Sequence, residues 1–395
     1  VRKDLRLTEI REQGAGIKNK GGNEMKVSMQ HRVNRLYLRK KGGDNMKKTL
    51  ILMIAFLFAA GMSTTVMAFH DAGVAYCAGC HTMHNSQDGA LVDPDSPTGN
   101  PFLLIDATPT DVCLSCHAGY GQMSADGQTR GPGGDFYWIT QDVTWSAHGH
   151  DYTVYGREHG HNLNGPGYGL VEDDILTTAP GGTYDSTYMG CNSCHDPHGN
   201  LYFRLLYGVG ESANNYLGGY SFTEAAPVAE GNSRRTNIGD SGEEITGQHT
   251  AYISGMSDWC ANCHAGVHSD MTTNLVHPTG QTIGSTLSGN YNAYVTSLDL
   301  TGAFATAYMP LLPFEDAANT TSSTTGTTAS SRVMCLTCHR AHASPYPDAG
   351  RFDFHATFLV EGHPAGEPYL DHYDGNPLDL TVQRSLCNKC HLQDS

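Results

Sequence analysis

The sequence predicts an irregular fold: mostly coil and loops, with short helices and few short strands, wrapped around something other than an aliphatic core. Three observations predict it. First, 46 of the 395 residues are glycine and 17 are proline, which leaves little material for long helices or wide sheets. Second, hydrophobic residues make up only 39%, yet 16% charged residues with 9% aromatics is not the composition of a self-repelling disordered chain. Third, all twelve cysteines fall in six Cys-x-x-Cys-His units: Cys77/Cys80/His81, Cys113/Cys116/His117, Cys191/Cys194/His195, Cys260/Cys263/His264, Cys335/Cys338/His339 and Cys387/Cys390/His391.

Each unit has the spacing of a c-type haem attachment site. Two cysteines three apart can link both vinyl groups of one porphyrin as thioethers, and the next residue, histidine, is held under the iron as its proximal ligand. Zinc binding, thiol exchange and disulfides are rival uses of such pairs. Six complete units with no cysteine left over favour six covalent c-type haems. The fold class is therefore a multihaem cytochrome c, whose stacked haems supply the core. The intervals between motif starts, 36, 78, 69, 75 and 52 residues, follow no fixed period, so no repeat array is expected.

Three segments are expected along the chain. Residues 1–45 are basic, lack an apolar pattern and read as translated sequence upstream of the true start. Residues 46–68 read as a signal peptide: Met46-Lys47-Lys48, an apolar run from Thr49 to Met62, and a small-residue cleavage site ending at Ala68. The run is shorter than the roughly 20 residues of a membrane span. Residues 69–395 form a single hexahaem cytochrome domain, exported through the periplasm, with no membrane span expected. Of the 24 basic and 40 acidic residues, 14 and 5 lie in residues 1–68, so the mature segment has 10 basic against 35 acidic residues, a formal charge of about −25. Such a surface repels nucleic acid and anionic lipid, so neither is an expected partner.

Residues 69–395 contain 20 histidines, and six proximal ligands leave 14 for six distal positions. In motifs one, three and five a second histidine follows three residues later: His84, His198 and His342. If a helical turn continues past the proximal ligand, that histidine stays on the proximal side of its own porphyrin and can serve only a neighbouring iron. His70, His161, His268 and His277 are the other distal candidates. His148, His150, His159, His249, His355, His363 and His372 are left as surface or propionate contacts, and Asn319 to Ser331 reads as a solvated low-complexity loop.

Longer stretches carry a resemblance. Phe69-His70 and Cys77 through Ser86, Thr177-Thr178-Ala179-Pro180-Gly181-Gly182-Thr183-Tyr184 leading to Cys194-His195-Asp196-Pro197-His198-Gly199, Gly255 through His264, Cys338 through Ser344 and Leu386 through His391 resemble the secreted hexahaem cytochromes of the OmcS type. The resemblance spans essentially all of 69–395. It implies bis-histidine haems in a continuous chain and polymerisation into extracellular filaments, with His84 reaching the fifth haem (Cys335, Cys338, His339) of the adjacent protomer. It also implies metal-oxide or other external electron acceptors, and outer-surface or periplasmic cytochromes as partners.

Electron conduction is the expected function, and no enzymatic activity is expected. A multihaem oxidoreductase needs an open axial position, often marked by a motif lacking its histidine, and all six motifs keep theirs. A monomeric shuttle with the same haems is the remaining alternative.

Overall fold

The computed structural model describes residues 76–127, 132–147, 149–213, 219–231, 250–269, 278–296, 298–303, 306–308, 312–318, 326–356, 358 and 386–391. Chain contacts separate Val1–Met67 from Ala68–Ser395, and every described residue lies in the second unit. The leader reading, His70 and His277 fall outside the described residues. So do His148, His249, His363 and His372.

The two helices that carry whole motifs have buried carboxylates at their starts. Helix α1 (Pro109–His117) begins at Thr108, whose Oγ1 accepts the Asp111 N–H, with Pro109 pre-set for the first turn and Asp111 against the positive helix end. Buried Asp111 also accepts the Gly167 N–H at 3.0 Å, which ties the helix start to a distant loop. Cys113 and Cys116 lie three apart on α1, hence on one face. Helix α2 (Met256–Ser269) carries the fourth motif, and the carboxylate of Glu315 accepts its first N–H, from Met256, at 2.6 Å. Burial raises the pKa of Glu315, while bonds from the Met256, Gly255 and Ser257 N–H groups oppose the rise. The helix is interrupted at His264 (φ −119°, ψ 38°). Helix α3 (Gly284–Ala293) starts at a positive-φ glycine, Gly284, and α4 is the single turn Cys335–Cys338 of the fifth motif.

Strands are as short as glycine content predicts. Among the described residues they form four separate antiparallel pairs: β1 (Ser86–Gln87) with β2 (Ala90–Leu91), β3 (Val143–Ala147) with β4 (His150–Val154), β5 (Ser212–Ala213) with β6 (Tyr220–Ser221), and β7 (Val228–Glu230) with β8 (Ala251–Ser254). No described helix is long and apolar enough to cross a membrane.

Instead of one continuous core the described residues form small clusters, each beside a motif. Leu114, Phe136, Trp138, Ile139, Leu163, Leu170 and Ala343 pack against Cys191. Tyr252, Met256, Met334 and Leu336 pack against Cys260. Tyr207, Ala213 and Phe222 pack against Trp259, the residue before Cys260. Tyr291, Tyr294, Tyr308, Leu312, Phe314 and Phe352 pack against both Cys338 and Cys390. A sparse aliphatic supply thus goes to the flanks of the attachment points, where aromatic rings bury the most area per residue.

Two expectations need correction. His159, left as a surface or propionate contact, is not at the surface: it is 0% exposed beside Trp138 (ring centres 6.1 Å apart), and its carbonyl accepts the Ser344 N–H, which draws the segment inward. The expected solvated loop from Asn319 to Ser331 is tied down at its described end, where Thr327 and Ser331 are buried while Thr328, Ala329 and Ser330 stay exposed. Thr327 bonds Ser288 and Asn292 of α3, and Ser331 donates to Asp316.

Candidate functional site

Motifs one, three and five share a module that their unequal spacing conceals. In each, the proximal histidine's Nδ1–H donates to a backbone carbonyl: His81 to Phe102 at 2.9 Å, His195 to Arg204 at 2.7 Å and His339 to Asp348 at 2.8 Å. A carbonyl can only accept, so Nδ1 carries the proton and Nε2 keeps its lone pair for a metal. The accepting residue and its successor are both left-handed: φ is +58° and +57° at Phe102 and Leu103, +51° and +58° at Arg204 and Leu205, and +57° and +53° at Asp348 and Ala349. The module is closed by N–H donation from Thr82 to Leu103 (2.7 Å), Asp196 to Leu205 (2.8 Å) and Arg340 to Ala349 (2.6 Å). Ile105, Tyr207 and Arg351 then donate to the carbonyls of Cys80, Cys194 and Cys338, the second cysteine in each motif.

This module overturns the expected helical turn after the odd proximal histidines. His81, His195 and His339 instead make isolated antiparallel bridges to Leu104, Leu206 and Gly350, because the chain leaves extended to pair with the left-handed turn. None of the six left-handed residues is glycine, and each costs on the order of 1 kcal/mol in backbone strain. The turn aims the accepting carbonyl at the imidazole. Leu103→Ile keeps the side-chain volume at a 47% exposed site but adds a β-branch at positive φ, so a loss of about 1–2 kcal/mol is expected. Leu91→Ile, 46% exposed on β2, should change stability by less than about 0.5 kcal/mol. Denaturant unfolding of the two variants measures the difference, and equal stabilities would remove the turn's structural role.

His161 and His342 are placed by a second device, a strand-like contact between chain segments 180 residues apart. Gly160 bridges Ala343, the His161 N–H donates to the His342 carbonyl at 2.9 Å, and the Ser344 N–H donates to the His159 carbonyl at 3.0 Å. His161 Nδ1–H donates to Ala341 O at 2.8 Å, again leaving Nε2 free to bind. Only glycine fits at 160, where a Cβ would collide with the His342 carbonyl. His264 has a comparable anchor, Pro180 O at 2.9 Å, and Gly182 lets that loop press against the Cys263 carbonyl. Burial, then the neighbouring His264, lowers the His161 pKa to about 4; burial, then His195, lowers that of His342 to about 3. Both are neutral imidazoles at neutral pH.

The imidazoles come together in pairs from different motifs. His81 and His198 have ring centres 6.4 Å apart with planes 8° from parallel. His161 and His264 are 6.1 Å apart at 44°. A metal–imidazole bond of about 2 Å on each side, plus the depth of each ring, separates the centres of two axial ligands by roughly 6 Å, so both pairs are spaced to take one iron between them. His342 lies within electrostatic reach of His195. His84 is exposed, beside Met83 at 73% exposure, and His391 is also exposed. His268 sits in the last turn of α2, with its side chain outside the described residues.

The cysteine sulfurs stand where thioether sulfurs would be, and those of consecutive motifs are neighbours throughout. Cys80 feels Cys113 and Cys116, Cys113 is hydrogen-bonded to Cys191, and Cys194 feels Cys263. Cys260 is hydrogen-bonded to Cys335, and Cys338 feels Cys387 and Cys390. None of the twelve is in a disulfide. Burial, and secondarily these neighbours, pushes the Cys194 and Cys338 thiols up to about 12. The attachment points therefore run in order from motif one to motif six without a break.

The chain matches no family model. The C-type cytochrome OmcS of Geobacter sulfurreducens (strain ATCC 51573 / DSM 12127 / PCA) is 34% identical over 441 residues, covering 90% of this chain and 100% of the relative. Two solved structures, an outer membrane cytochrome S filament and OmcS nanowires seen by cryo-EM, both from Geobacter sulfurreducens, match with a TM-score of 0.67 at 33% identity, over 82% of this chain and 100% of theirs. With the motifs, the fold and near-complete coverage in agreement, the chain belongs to the OmcS family of c-type cytochromes.

Proposed function

We propose that this chain is an extracellular electron-transfer subunit that carries six c-type haems and polymerises into a conductive filament, delivering electrons to external acceptors such as metal oxides. The observation that carries the reading is the unbroken order of neighbouring attachment sulfurs from Cys80 to Cys387. Each haem supplies a one-electron ferric/ferrous couple when bound. The chain's own residues set its spacing, ligation and burial. Nδ1–carbonyl bonds at His81, His195, His264 and His339 fix the tautomer that presents Nε2.

The distal ligands follow one rule in the odd motifs. His198 of motif three pairs with His81 of motif one, and His342 of motif five approaches His195 of motif three. The second histidine of each odd motif thus serves the haem two motifs back. His84 of motif one has no such haem within its own chain, so the rule, in line with what the family resemblance implies, directs it to the fifth haem of the next protomer. His161 completes the fourth haem opposite His264. His70, His268 and His277 are the remaining candidates for the second and sixth. The contact is head-to-tail and so either closes a ring or repeats as an open filament.

Intact mass spectrometry of the secreted protein tests haem number: chain 69–395 plus six haem additions is expected, and five additions or a retained Met46 would refute the reading. Negative-stain microscopy of culture supernatant separates filament from shuttle, since a shuttle leaves only isolated particles.

A further inference from the structure

The chain just after the fifth proximal histidine, Arg340 to Ser344, is gripped by backbone from two distant stretches. From the first, the Gly133 carbonyl accepts the His342 N–H at 2.7 Å, and the Asp135 N–H donates to the Ala343 carbonyl at 3.1 Å. From the second, the His161 N–H donates to the His342 carbonyl, and the His159 carbonyl accepts the Ser344 N–H. Arg340 ties down the start of the gripped segment, its Nη1 donating to the Pro132 carbonyl at 3.2 Å. Arg340, Ala343 and Ser344 are all buried.

Three glycines make the grip possible. A Cβ at Gly133 would lie 2.8 Å from the His342 ring, one at Gly134 would collide with the Ala343 carbonyl oxygen, and one at Gly160 with the His342 carbonyl oxygen. A backbone oxygen cannot swing aside as the end of a flexible side chain can, so a larger residue at 134 or 160 must displace the gripped segment itself. That segment carries two ligand devices. Its own His342, stacked on Phe136 with ring centres 4.6 Å apart, approaches His195. Its Ala341 carbonyl accepts the His161 Nδ1–H at 2.8 Å and so orients the imidazole that faces His264.

We propose that Arg340–Ser344 is a single strap that sets the axial ligation of the third and fourth haems together, with Gly134 and Gly160 as its positioning residues. One distal imidazole is a side chain of the strap, and the other is oriented by a carbonyl of the strap. Displacing the strap therefore moves both, whereas deleting either side chain removes only one. Two consecutive haems of the proposed chain thus come under one mechanical control. The proposal rests on the reading above, that His342 and His161 are distal ligands of these two haems.

Counting high-spin iron by electron paramagnetic resonance in haem-loaded Gly160→Ala, Gly134→Ala, His161→Ala and His342→Ala protein tests it. Each histidine variant should show one high-spin iron per chain, because the backbone bonds of the strap do not involve the deleted imidazole. Each glycine variant, with six haems by mass, should show two and bind twice as much carbon monoxide per chain as His161→Ala. Added imidazole should return both irons to low spin, since position alone has been lost, and a signal it leaves unchanged would count against the proposal. Should Gly160→Ala lose haem, two high-spin irons in Gly134→Ala suffice, since Gly134 belongs to the stretch that carries neither distal imidazole. At most one high-spin iron in a glycine variant that keeps six haems, beside one in each histidine variant, would overturn the proposal, because the two ligands are then held independently. Haem loss in both glycine variants would overturn it too, making the strap a requirement of folding. A wholly low-spin His342→Ala or His161→Ala would instead remove the ligand assignment, and the proposal with it.

Discussion

His84→Ala is expected to leave the protomer folded with six haems attached and to abolish long filaments. The exposed side chain of His84 makes no contribution to the described clusters, so its loss costs the fold little. Its loss at a junction is another matter, because residues 69–395 carry about −25 from side chains and like-charged subunits resist contact. A coordinate bond at every junction offsets that repulsion. The variant should therefore elute as monomers, each with one iron lacking its distal imidazole and able to bind carbon monoxide. His84→Met is the finer probe, since a thioether restores coordination while raising that haem's potential. Normal filaments with every iron still bis-histidine in the alanine variant would return His84 to the surface histidines.

His161→Ala should act inside the protomer rather than between protomers. The imidazole is held by Ala341 O, faces His264 at 6.1 Å and is neutral down to about pH 4, as the proposed distal ligand of the fourth haem requires. One high-spin iron per chain is expected by electron paramagnetic resonance, in monomer and filament alike, with reactivity toward carbon monoxide or nitrite that the wild type lacks. His198→Ala should do the same at the first haem, through the pair it forms with His81. Neither substitution should block assembly, which separates these two histidines from His84. An all-low-spin spectrum in His161→Ala would remove it from the ligand set.

How much of this was legible in the sequence depended on whether the signal was local. The six attachment motifs are five-residue patterns and could be read directly, as could the surplus of histidines. That His198 meets a different motif, with its ring 6.4 Å from His81, agrees with its spacing, although not through a continuing helix. The chain after His195 is extended because it pairs with Leu206. The module of the odd motifs was not legible: its carbonyl lies 21 residues beyond His81 but 9 beyond His195 and His339. Its turn residues, Phe102-Leu103, Arg204-Leu205 and Asp348-Ala349, have in common only a leucine in the first two, and the usual marker of positive φ, glycine, is absent from all three. The burial of His159 and the pairing of His161 with His264 were equally hidden. Both depend on a bridge between Gly160 and Ala343, whose only sequence trace is a glycine beside the histidine.

A helical reconstruction of the secreted filament at side-chain resolution tests the ligation rule most directly. His198 Nε2 should lie on the first iron, His342 Nε2 on the third, and His84 Nε2 on the fifth iron of the next subunit, all within bonding distance of about 2 Å. A density map in which the fifth haem takes its distal ligand from its own chain, or in which His84 faces solvent at the subunit junction, would contradict it.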